Sequence, residues 1–160
     1  MAGRSFEIAT ARDFYNKLLE DYAAFNEDPT SSRLAINCAM TAWHLSDWIY
    51  YDYQSTLITL FPKIRLYQEF LSIQHCTDLE IMRCITNGSK HCAPHNGKQM
   101  VQGTGIHKGV FAKQFSRQHD ISYLKVMLVD GSEARFEDVL ERVIAFWRTY
   151  TISQFGWTFN

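Results

Sequence analysis

Apolar residues recur at helical spacing through the first half of the chain, and at strand spacing only after Pro94. In ARDFYNKLLEDYAAFNED, Ala11 to Asp28, the residues Phe14, Leu18, Tyr22 and Phe25 form one stripe, and the acidic residues and Lys17 fall largely outside it. That pattern predicts an amphipathic helix, which Pro29 ends. Thr30 or Ser31 can cap a second helix running to about Tyr53. Leu34, Ile36, Ala39, Met40, Trp43, Leu45, Trp48 and Ile49 lie nearly all round it, as expected of the most buried helix of a bundle. QSTLITLFP reads as a linker to a third helix, roughly Lys63 to Gln74, with Ile64, Tyr67, Phe70 and Leu71 inward. A fourth helix opens at Thr77, where Thr77 and Glu80 have capping-box spacing and Asp78 suits the positive end of the helix dipole. Leu79, Met82 and Ile85 continue inward, and the helix is expected to stop near Gly88 or near His91.

Beyond Pro94 the segments NGKQMVQGTG and KGVFAKQF are short and glycine-punctuated, ISYLKVMLV is apolar and β-rich, and an Asp-Gly pair marks a tight turn before SEARF. These predict a small antiparallel sheet. FEDVLERVIAFWRTYT then predicts an amphipathic helix with Val139, Leu140, Val143, Ile144 and Trp147 inward. The expected class is α+β, mainly α: a four-helix bundle-like half over about residues 10–92, then a small antiparallel sheet and a C-terminal helix over about 96–155. The break near Pro94 lacks the composition of a flexible linker, so residues 1–160 read as one domain.

Composition removes several function classes. Of 160 residues, 46% are hydrophobic and 14% aromatic, enough for a packed core, and the net charge of -1 gives no global pull toward nucleic acid or an anionic membrane. Contact with nucleic acid would need a local patch. No run of apolar residues is long enough to span a bilayer, and the first seventeen residues carry no signal-like core, so the expected location is the cytoplasm, with no membrane partner. Cys38, Cys76, Cys84 and Cys92 are then expected as free thiols, and none forms a CxxC pair. No phosphate-binding glycine loop, nucleophile elbow or H-E-x-x-H helix is present in the sequence.

The candidate chemistry lies in two polar ridges. At about 100° per residue, Asn37, Thr41 and His44 share a face of the second helix, with Asp47 one turn beyond His44. On the fourth helix Arg83, Asn87 and His91 are spaced by four, with Glu80 and Lys90 on the same side. A buried polar group without a partner costs roughly 1–3 kcal/mol, so the two ridges are expected to face each other or a shared cleft. In a functional reading, His91 is the general acid/base, Arg83 binds a phosphate through its planar fork, Asn87 orients either, and Asp47 fixes the tautomer of His44. With a 2′-hydroxyl as nucleophile, that set suits metal-independent cleavage of RNA. In a structural reading the same residues cap and cross-link the bundle, Lys90 and His91 suiting a helix C-terminus. His75, Cys76, His91, Cys92 and His95 are zinc-ligand types, but their spacing matches no standard zinc motif, and no metal or cofactor is expected.

An Arg and a His flanking a polar run late in a helical bundle resembles HEPN-type domains, with the resemblance covering about residues 10–92. The stretch RCITNGSKH carries it: Asn87 and His91 give N-x-x-x-H, while seven residues separate Arg83 from His91 where the family has R-N-x-x-x-H. The resemblance implies a dimeric cytoplasmic RNase of the toxin and defence kind, with RNA as partner, a homodimer as assembly, and Arg83, Asn87 and His91 as site residues supported by His44, Asp47, Asn37 and Lys90. The alternative is a non-enzymatic accessory or protein-interaction module in which these residues are structural.

Overall fold

The computed structural model describes residues 6–90 and 100–159. The first helix, α1 (Ala11–Glu27), starts where the sequence places it because Thr10 and Asp13 form a reciprocal capping box: the Thr10 hydroxyl accepts the Asp13 N–H at 3.1 Å and the Asp13 carboxylate accepts the Thr10 N–H at 2.9 Å. Ser31 caps α2 (Ser32–Asp52) through the Leu34 N–H. Two helices differ from expectation. The stretch read as a linker contains a helix, α3 (Gln54–Leu60), set off by backbone bonds from Thr56 and Leu57 to the Tyr53 carbonyl and anchored by buried Leu57. The third predicted helix is α4 (Ile64–Phe70) running into a π-turn (Leu71–His75), closed by the Cys76 N–H on the Leu71 carbonyl at 2.8 Å. The next helix, α5 (Asp78–Lys90), passes through Gly88 without ending there.

The sheet has three antiparallel strands in chain order: β1 (Val101–His107), β2 (Tyr123–Leu128) and β3 (Glu133–Arg135). Gly131, at φ +86°, makes the turn between β2 and β3, a backbone setting that side-chain-bearing residues rarely adopt. KGVFAKQF belongs to the loop joining β1 to β2. Its neck is closed by His107 Nε2 to Asp120 at 2.6 Å and by the Phe111 N–H on the Asp120 carbonyl at 3.0 Å. A methyl on Gly109 would land on the backbone of Asp120 and Ile121, so only glycine lets the two sides of the neck meet.

The last helix, α6 (Phe136–Phe155), ends in Gly156 at φ +65° and packs back on α2, α5 and the sheet. Buried residues from the helices and the sheet form one continuous core. Within it, Leu45 and Ile49 of α2 are fully enclosed, and the Trp147 indole donates to the Ala42 carbonyl at 3.0 Å, tying α6 to α2. Tyr50 and Tyr53 belong to this core as well. Tyr50 donates to the Phe61 carbonyl, and Tyr53 stacks on Phe155 at 4.0 Å and accepts the Trp157 indole N–H, leaving Tyr51 as the exposed ring of that run. No helix among the described residues is long and apolar enough to cross a membrane.

Candidate functional site

The α2 ridge does not face α5. Asn37, Thr41 and His44 line a groove of about 180 Å³ with Phe14 and Lys17 of α1. The cause is an ion pair that α1 brings to them. Lys17 Nζ lies 2.6 Å from Asp21, and the buried Thr41 hydroxyl donates to Asp21 at 2.6 Å while accepting Lys17 Nζ at 2.8 Å. Thr41 is thereby satisfied from α1, and α5 also packs against α2. Among the described residues, Arg83 and Asn87 of the expected α5 ridge are therefore not set against Asn37, Thr41 and His44, while His91 lies outside the described residues.

One predicted pairing is present: His44 Nδ1 lies 2.8 Å from Asp47 Oδ2, one turn along. The other Asp47 oxygen accepts Gln68 Nε2 at 3.3 Å, and Gln68 also donates to Ser46 Oγ at 2.9 Å, which in turn donates to the Trp43 carbonyl. Gln68 of α4 is therefore the strut between α2 and the neighbouring wall.

That wall belongs to a cleft of about 740 Å³. Trp43 of α2 forms one side. Arg65, Gln68 and Glu69 of α4 form another, continued by Ser72 and Ile73 of the π-turn; Glu80 and Arg83 of α5 and Met100 are the other described lining residues. Arg83 enters the cleft already engaged. Its Nε lies 2.9 and 3.0 Å from the two Glu80 oxygens, and its Nη2 also meets Glu80 Oε1. The hydrogen bond it donates to Glu80 holds the guanidinium pKa above its ordinary value, ahead of the opposing effect of burial. Arg65 is paired through a single contact, its Nε 2.9 Å from Glu69 Oε1, largely in solvent. The described lining is thus mostly apolar and balanced in charge: two cations, each beside its own carboxylate, around an indole and the exposed side chain of Ile73.

The predicted set separates on the structure. Arg83 lines the cleft; Asn87 and Lys90 are exposed further along α5 and are not among its described lining residues; Asn37 and His44 lie in the α1–α2 groove, and Asp47 beside Gln68. His91, Cys92 and His95 fall outside the described residues. Sequence reading missed Gln68 and Ser72 as cleft residues, since a glutamine and a serine on short segments leave no periodic signal; Trp43 belongs to an aromatic series that can form a ligand surface but reads first as core.

No family model, curated protein or solved structure matches the chain. Among the described residues, no three His, Cys, Asp or Glu side chains are grouped to hold a metal ion, and Cys38, Cys76 and Cys84 are free thiols.

Proposed function

We propose that the chain is a non-enzymatic binding module whose receptor surface is the cleft between α2, α4, the π-turn and α5. The observation that carries this reading is the bidentate clasp of Arg83 by Glu80. A guanidinium that has spent its fork on a neighbouring carboxylate is a poor clamp for a phosphate, and a good fixed wall for a ligand of mixed polarity. The volume of about 740 Å³ falls in the range of ligand sites. The remaining polar groups, Thr41 with Lys17 and Asp21, and Gln68 with Ser46 and Asp47, act as cross-links of the bundle.

Purified protein incubated with pooled RNA, with and without divalent metals, is expected to leave the RNA intact. Cleavage that disappears in Arg83→Ala while the fold persists would overturn the module reading. One observation favours the second reading, a HEPN-like RNase with RNA as substrate: the Arg83 side chain keeps 30% of its surface accessible at an open cleft. In that reading Glu80→Gln releases the guanidinium and raises cleavage. In both readings a homodimer is the proposed assembly, and sedimentation velocity decides it.

A further inference from the structure

On the far side of the π-turn a second cavity, of about 270 Å³, opens between the turn and the C-terminal half of α6. Two pairs of rings wall it. Phe70 and His75 come from α4 and the π-turn, 4.4 Å between centroids and edge to face; Phe146 and Tyr150 come from successive turns of α6, 5.4 Å apart and stacked. His75 and Tyr150 close the ring at 6.3 Å. Thr149, Ser153 and Gln154 supply the rest of the lining, and no charged side chain is among the described lining residues. The π-turn is what brings His75 here, because its extra residue offsets the ring from the position an uninterrupted α-helix would give it, and such turns concentrate at functional sites.

The polar groups are few, and among the described lining residues none is Lys, Arg, Asp or Glu. Tyr67 donates its hydroxyl proton to the Tyr150 oxygen at 3.2 Å, so Tyr150 keeps its own O–H for another acceptor. Burial raises the Tyr150 pKa, keeping that proton in place. Gln154 uses one N–H on Ser153 at 3.4 Å and retains its carbonyl oxygen and second N–H.

We infer that this cavity binds a neutral, flat nitrogen heterocycle, its faces against the Phe70–His75 and Phe146–Tyr150 rings and its edge read by Tyr150 and Gln154. The chemistry selects against the other ligand types. A cation would meet ring faces but no carboxylate to offset its desolvation, and an anion would find no Lys or Arg among the described lining residues. A saturated ring would fill the volume without using the ring faces or the two hydrogen-bonding groups. The site is separate from the cleft proposed as the receptor surface, and its test does not depend on that reading.

The test is titration calorimetry with ligand-detected NMR on the full chain, using adenine as probe. Benzyltrimethylammonium, cyclohexanol and N-acetyltryptophanamide serve as the cationic, saturated and side-chain comparators. Adenine is expected to bind saturably, with upfield ring-current shifts of its protons. His75→Ala and Gln154→Ala, both at exposed positions, are expected to weaken it about tenfold each while the melting temperature holds. Four results would overturn the assignment: no saturable adenine binding at millimolar concentration; tighter binding of the cation; equal binding of cyclohexanol; or adenine affinity unchanged in both variants. Binding of the tryptophan amide without adenine would overturn it too, in favour of an anchor pocket for a partner's aromatic side chain.

Discussion

Replacing Thr41 by valine removes one hydroxyl and keeps the shape of the side chain. The structure fixes what that hydroxyl does: at 2% exposure it donates to Asp21 at 2.6 Å and accepts Lys17 at 2.8 Å. A hydrogen bond to a charged group is worth about 1.5–3 kcal/mol. Two effects reduce the loss. Asp21 and Lys17 still hold each other at 2.6 Å, so neither charge is orphaned, and the new methyl recovers about 0.8 kcal/mol of burial. Thr41→Val is therefore expected to cost about 1–2 kcal/mol, or a fall of roughly 2–8 °C in melting temperature for a domain of this size. Urea unfolding followed by circular dichroism measures it, with an unchanged slope showing that the denatured state is the same. Asp21→Ala removes the acceptor, so in that background Thr41→Val should cost markedly less. A Thr41→Val protein as stable as wild type would refute the placement of the α2 ridge against α1. So would a cost that stays unchanged in the Asp21→Ala background.

Thr10→Ala removes the hydroxyl that caps α1 and should cost about 1 kcal/mol, read from the same unfolding curves. The Thr10 hydroxyl, then the N–H groups of Ala9 and Thr10, hold the Asp13 carboxyl below its ordinary pKa. Its contribution is thus fully present above the unfolded carboxylate pKa and fades as pH falls through the lower folded value; Asp13→Asn should flatten that acid limb of stability against pH. Burial pushes the Cys38 thiol up to about 12, so an aromatic disulfide reagent at pH 8 should leave Cys38 unlabelled in native protein and label it after denaturation, as mapped by mass spectrometry. Gly109→Ala should force open the neck of the β1–β2 loop, giving faster tryptic cleavage at Lys113 and Arg117 with little change in melting temperature.

Long helices were legible because their inner faces are apolar at regular spacing. Leu18 and Phe25 of α1 and Val139, Leu140, Val143 and Trp147 of α6 are all buried as that spacing implies. The irregular parts were not. Only Leu57 of α3 is buried, too little to set a period, and the segment reads as a linker. The π-turn leaves Tyr67 and Leu71 inward, so the added residue comes after the last position that periodicity could test. KGVFAKQF has the residues of a strand, but the tight approach at Gly109 makes it the start of a loop. The candidate site failed for a related reason. A helical wheel shows that Asn37, Thr41 and His44 share a face, but not which neighbour covers it. That depended on Lys17 and Asp21, which fall outside the apolar stripe of α1 and carry no sign of a partner in the sequence.

The π-turn from Leu71 to His75 gives the chain a shared wall: Ser72 and Ile73 turn to the cleft, and His75 to the aromatic cavity. A substitution at one of these residues alters one concavity. A one-residue deletion would rotate everything beyond it by about 100° relative to α4 and redraw both at once. Chain length at this point is therefore a variable distinct from residue identity. Among descendants of this sequence, a change in the spacing between Tyr67 and Asp78 would mark a change in what both concavities accept, even where every lining residue kept its type.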